Sequence, residues 1–372
     1  MTALRVLVVA VAAAVFVRTV ISAVRTFVVP RDEPTWLTRA VFSAIRVPFF
    51  GAARRRDRPT GHRVMRAFAP SALLALPVLW ILSTWLAFGT FFWAIGEGGW
   101  RESLEISGSS VTSLGVHAPE TFAGSILAFG EAALGLGLVA LLITYLPTIY
   151  AAYQRREKEV SLLSVRAGTP PSAVEMLVRF QRINLLSETG DMWTGWEAWF
   201  VDIEESHTSM AMLAYFHSGL PSHSWITACG TVLDAASLLM SSVAIEPEPR
   251  AALCVRSGFL ALRHVADFFD IDYDPDPAAA ANVISVTRAE FEAALDRLEA
   301  EGVPIKTDRD KAWRDFSGWR VNYDGVLLSL CALIWAPSAP WSSDRAGDSV
   351  RPPLTRRGGR GRGTRTAHER MK

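Results

Sequence analysis

The chain has 372 residues, half of them hydrophobic and a fifth charged, with a formal net charge of +1. That balance excludes a polyelectrolyte working by charge alone, and the length suggests about two domains. Apolar residues gather in the first 150 positions and charge gathers after them.

Residues 1–29 are apolar but carry Arg5, Arg18 and Arg25. No small-residue cleavage site precedes Arg18, and the stretch reaches the ~20 residues a helix needs to cross a bilayer. It predicts a first transmembrane helix over 1–30. Arg5 and Arg25 are placed to snorkel to opposite sides. Arg18 falls inside, where it is expected to meet a carboxylate or a lipid phosphate.

Residues 31–69 form a basic loop with Arg31, Arg39, Arg46, Arg54, Arg55, Arg56, Arg58, Arg63 and Arg66 against Asp32, Glu33 and Asp57. Within it Trp36, Leu37, Val41, Phe42, Ile45, Phe49 and Phe50 alternate with basic residues, a pattern that suits an interfacial amphipathic helix.

A second long apolar run covers Ser71 to Ile95. Trp100 to Val111 follows, of mixed polarity and too short to cross, then Thr112-Ser113-Leu114-Gly115-Val116-His117, then a third apolar run from Phe122 to Leu146. A short segment between two spans lies at membrane depth only if protein or water covers its backbone. As a half-helix it aims its negative end at the membrane centre, and Glu102 and Glu105 complement its positive end. They would also concentrate cations at an outer mouth. Glu131 lies well inside the third apolar run, where a carboxylate is costly without water or a partner. Gly135 and Gly137 follow it. Pro147 disrupts helical hydrogen bonding near the inner end, as a kink or a stop.

This order, helix, short helix, Thr/Ser/Gly turn, helix, resembles the pore-loop cation channels, in particular the two-helix potassium-channel pore domain, over residues 70–155. The family filter reads Thr-Val-Gly-Tyr-Gly, whose carbonyl oxygens replace the ion's hydration shell. Ser113 stands at its hydroxyl position, Leu114 at its apolar position and Gly115 at its first glycine. Val116 replaces the tyrosine, His117 the second glycine, and Ala118 the usual aspartate. Gly135 and Gly137 resemble the inner-helix hinge. The resemblance implies a homotetramer, because one loop supplies a quarter of a filter, and monovalent cations (K+ or Na+) as the conducted species. Losing the second glycine implies fewer ordered carbonyl rings and weak selectivity.

Arginine asymmetry gives an orientation in a bacterial inner membrane. The 31–66 loop and the Gln154-Arg155-Arg156 end of the third span are cytoplasmic; the segment with Glu97, Glu102, Glu105 and Glu120 is outside. The N-terminus is then outside and the C-terminus inside.

From 156 to 336 helical patterns recur, at about 171–187, 193–217, 222–244, 249–270, 286–301 and 309–335, separated by Pro- or Gly-bearing turns. They predict an all-helical cytoplasmic domain with an unknown ligand or protein partner. The whole chain is therefore expected to be all-α: three transmembrane helices, a re-entrant pore helix with its loop, and this domain. Cys229, Cys254 and Cys331 are far apart and odd in number, which suits free thiols in a reducing compartment. Glu204 and His207 sit three apart, the spacing of a carboxylate di-metal site, but no second such pair exists. A polar helix face is the better reading, and no metal or cofactor is expected. Trp313, Phe316, Trp319 and Tyr323 form a core stripe. No GxSxG, HExxH or phosphate loop supports an enzyme.

Residues 337–372 turn rich in Pro, Ser, Gly and Arg, with Arg356-Arg357-Gly358-Gly359-Arg360-Gly361-Arg362-Gly363, and are expected to be a disordered tail able to attract anionic lipid. The functional expectation is a weakly selective monovalent cation channel modulated by its helical domain. The alternative is a non-conducting sensor or adaptor that keeps a channel-like fold.

Overall fold

A computed structural model describes residues 2–27, 36–56, 58–278 and 284–346. The described residues are all helical apart from turns and one isolated bridge between Val243 and Ile305. Three helices are long and apolar enough to cross a membrane. These are α1 (Thr2–Phe27), α4 (Phe68–Ile95) and α6 (Phe122–Ala167). Between α1 and α4 lie α2 (Trp36–Arg54) and α3 (Arg58–Arg66); between α4 and α6 lies α5 (Trp100–Val111).

Helix α4 is the hub of this half. It packs against α1, α5, α6 and α2. Trp80 is fully buried, donates to Ser22 of α1 at 3.3 Å, and sits with Ala23 and Leu76. Arg18 lies exposed on α1. The apolar face of α2, expected to form an interfacial helix, packs in part onto protein. Phe42 and Phe49 meet Phe68 at 6.1 and 5.9 Å, and Phe50 meets Trp335 at 5.8 Å. A ring gains as much from a dry protein face as from lipid, and here the start of α4 and the segment after α13 supply one.

Helix α6 runs 46 residues without a break, straight through Pro147. Gly168 ends it with φ +81°, a left-handed conformation that glycine adopts without penalty. Its distal turns enter the carboxyl-terminal domain of α7 (Ala173–Arg182), α8 (Gly190–Ser209), the 3-10 turn Ala211–Tyr215, α9 (Trp225–Ser242), α10 (Pro249–Phe268), α11 (Arg288–Ala300), α12 (Arg309–Arg320) and α13 (Asp324–Leu333). Apart from Met240, every residue of α9 is buried, so this helix is the domain's axis.

Two expected helices are each divided. The 193–217 pattern breaks after Ser209, where Ser206 and Thr208 hydroxyls take the carbonyls of Asp202 and Glu204. The 309–335 pattern breaks at Val321–Tyr323, where the Asn322 amide donates to Gly318 and Trp319 carbonyls. Side chains that serve the last carbonyls of a helix let it end.

Residues 337–346 belong to the domain. Ala339, Ser342 and Ser343 are buried, and Arg345 pairs with Glu290 at 2.6 Å. The disorder expected from 337 is therefore not found over 337–346. The Arg/Gly run, the acids Asp32, Glu33 and Asp57, and Arg31 lie outside the described residues.

Candidate functional site

Helix α5 is built to sit between two larger helices. Glu102 reaches back over the start of α5 and accepts from Gly99 N at 2.8 Å. Arg101 pairs with Glu105 one turn on, at 2.9 Å. Ser103, Ile106, Ser107 and Ser110 fall on one buried face, at the three- and four-residue steps of a helix. Small hydroxyls there let helix backbones approach closely and still offer hydrogen bonds.

Two tryptophan contacts fix α5 to α4. Trp85 Nε1 donates to Leu104 O at 2.8 Å, and Ser107 Oγ lies 2.8 Å from Trp85 O. Gly89 of α4 leaves room for Leu104, whose side chain occupies the space of a would-be Cβ.

On the other side α5 meets α6 at two points. Glu131 is fully buried, and its Oε1 lies 2.5 Å from Ser107 Oγ. Its Oε2 has no hydrogen-bonding partner. Ser107 has one proton, and the carbonyl of Trp85 can only accept. Both Ser107 contacts are complete when Glu131 itself brings a proton, as a neutral carboxyl. The second point is Gly135, where a Cβ would fall on the carbonyl oxygen of Val111, the last residue of α5.

The loop after α5 turns sharply. Ser113 has φ +57° and Gly115 φ +68°, whereas His117 is not among the left-handed residues. Ser113 N and Leu114 N return to Ser110 O and Ser109 O at 2.9 and 3.0 Å, and Thr112 Oγ1 donates to Gly108 O. His117 N donates to Ser109 Oγ at 3.0 Å, and its ring stands 3.7 Å from Glu105. In the single chain Leu114 is 71% exposed and Val116 is 70% exposed.

Glu97, just past α4, anchors the far end of the loop. It accepts from Glu120 N at 2.7 Å, from Thr121 N at 3.0 Å and from the Thr121 hydroxyl. Burial opposes ionisation of Glu97, but these donors outweigh it and hold the carboxyl below its usual range. Thr121 then caps α6 by accepting from Gly124 N.

The expected site residues thus divide. Thr112 to His117, Glu105, Glu131 and Gly135 gather around α5. Glu102 serves the cap of α5. Gly137 faces open space on α6, and Pro147 lies further along it, exposed. Ser107 was missed, and Glu97 was read only as part of an acidic outer segment. The only signal for them was a serine at helical spacing and an acid at a helix end, both common on surfaces. The Glu204–His207 pair is not a site: Glu204 meets His264 at 2.8 Å, while His207 is buried against Arg156. Among the described residues no group of three or more His, Cys, Asp or Glu gathers to hold a metal.

Comparison with protein-family models, curated proteins and solved structures finds no match.

Proposed function

We propose that this chain is a multi-pass membrane channel for monovalent cations, K+ or Na+, weakly selective, assembled as a homotetramer and modulated by its carboxyl-terminal helical domain. The observation that carries the reading is α5. Its 12 residues reach about 18 Å at 1.5 Å per residue, short of a ~30 Å hydrocarbon core. It is lodged between two helices that are long enough, and its negative end leads straight into a tight loop. Such an end-on dipole favours a cation beyond it.

One feature supports weak selectivity and another supports assembly. His117 keeps ordinary backbone, so the left-handed second glycine of a potassium filter has no counterpart here. Leu114 and Val116 stand outward in the single chain, which suits a loop completed only by its copies. In this reading α5 is a re-entrant pore helix in a bacterial inner membrane. The N-terminus is outside, and the helical domain is cytoplasmic with an unidentified ligand or protein partner.

The experiment is flux from proteoliposomes loaded in turn with K+, Na+ and Cl−. Both cations should pass at comparable rates and chloride should not. A well-formed tetramer that passes no ion would instead favour a sensor or adaptor that keeps the fold without conducting.

A further inference from the structure

Helix α3 and the carboxyl-terminal domain meet through two imidazoles. His62 lies on α3, and His217 follows the 3-10 turn by two residues. Their rings are 4.7 Å apart between centroids and nearly perpendicular, at 83°. His62 is 4% exposed, and its ring has the backbone of Trp335 as a polar neighbour but no well-formed hydrogen bond. His217 Nε2 and the adjoining Ser218 Oγ have no hydrogen-bonding partner. Buried polar atoms are nearly always paired, so this poorly satisfied junction calls for a physical reason.

The surroundings are cationic. Arg66 of α3 and Arg156 of α6 both act on His217. Arg156 is fully buried, pairs with Glu157, and donates to the carbonyls of Leu213 and Phe216 at 2.8 and 2.6 Å. His207 of α8 stands 3.3 Å behind it. Tyr153 of α6 donates to the His217 carbonyl at 3.3 Å, and Tyr215 beyond it neighbours Arg46 of α2. Burial first, then His62 and the two guanidiniums, hold His217 well below the usual histidine range. Guanidiniums in place of carboxylates make this a poor seat for a metal ion and a sensitive one for a proton.

We propose that His62 and His217 form a proton-sensitive latch, whose uncharged rings join α3 to the carboxyl-terminal domain and whose protonation parts them. The proposal goes beyond the channel reading and does not rest on it. Two imidazolium rings set edge to face beside Arg66 and Arg156 repel, and among the described residues no anionic group acts on either ring. The sign follows from linkage. A released ring takes a proton near the ordinary histidine value of about 6.5, whereas the docked ring resists it. The released state binds more protons, so docking is strongest at high pH and weakens as pH falls below ~6.5. Each histidine contributes about tenfold per pH unit over that window. The Phe68–Tyr215 and Phe42–Tyr215 ring contacts need not part, so the opening is local.

Hydrogen exchange on the full chain in lipid nanodiscs tests this, at about pH 7.5 and about pH 5.5, corrected for intrinsic exchange. Protection over 62–66 and 214–218 should fall by about tenfold or more in the unaltered protein. It should fall by less than about threefold in His62→Gln/His217→Gln, and as in wild type in His223→Gln, whose ring is buried elsewhere. Wild-type protection that ignores pH overturns the latch, as does a double variant that follows wild type. Should the double variant not fold, the two single variants decide. Each should lose about half of the logarithmic fall, and a full fall in both overturns the proposal. The readout needs no ion flux, so its failure and that of the channel reading are separate results.

Discussion

Gly135 carries no side chain because the carbonyl of Val111 occupies the space one would need. Adding a methyl there should push α5 off α6 at a cost of about 1–3 kcal/mol. Gly135→Ala is therefore expected to lower thermal stability in detergent, while Gly137→Ala, with open space around it, should leave stability nearly unchanged. Glu131 poses the complementary question. A neutral carboxyl that donates to Ser107 is mimicked by an amide, so Glu131→Gln should keep both stability and flux. Glu131→Ala removes the partner and opens a void, costing about 2–3 kcal/mol. If Gln proves as damaging as Ala, the hydrogen count at Ser107 is wrong. The buried Arg320 makes the same argument in the carboxyl-terminal domain. Asp234 and Asp324 flank it, and Tyr323 also bonds Asp234. Burial works against its charge, but these partners prevail and raise its affinity for the proton. Asp234→Ala leaves that charge buried with half its pairing, and a loss of about 3–5 kcal/mol is expected in denaturant unfolding followed by tryptophan fluorescence.

At the scale of elements, the last segment is a strap. Arg345 joins it to Glu290 at the start of α11 and to the carbonyl of Ser285, and Arg320 reaches the carbonyl of Trp341. The hydrogen bond from Arg345, reinforced by Thr287, holds the Glu290 carboxyl down at about 2. A depressed carboxylate stabilises the folded state in full above its ordinary value of 4.5 and loses that contribution as pH falls toward 2. Proteolysis after residue 336 should therefore quicken in that acid window, and Arg345→Ala should reduce the pH dependence to the part that Thr287 sustains. Helices α4, α5 and α6 were legible in the sequence because apolar length and polar spacing are local signals. Trp100 to Val111 was read within the bounds the structure gives. What was not legible came from contacts far apart in the chain. Arg156 looked like one of several basic residues closing a span, yet it is buried against residues 50 and more positions away. The segment after Ala336 looked too polar to pack, and its burial depends on Arg320 and Glu290. His62 and His217 carry no spacing signal at all, since they meet only once α3 and the domain have docked.

The whole molecule joins an apolar half to a helical domain through one unbroken helix, α6, with α2 and α3 packed into the junction. In the proposed channel, a displacement of the domain would reach Gly135, and the end of α5 that it supports, along α6. Orientation can be tested separately. Cysteines placed singly at Thr2, Asp57 and Glu102 should label from outside, inside and outside, and an external Asp57 site would invert the arrangement. The central claim is conduction through a ring of loops following α5. Its most direct test is electrical recording from the purified full chain in planar bilayers under K+ and Na+ gradients. The account predicts cation currents with reversal potentials that distinguish K+ from Na+ only weakly. Chloride current, strong potassium selectivity, or silence from a verified tetramer would contradict it.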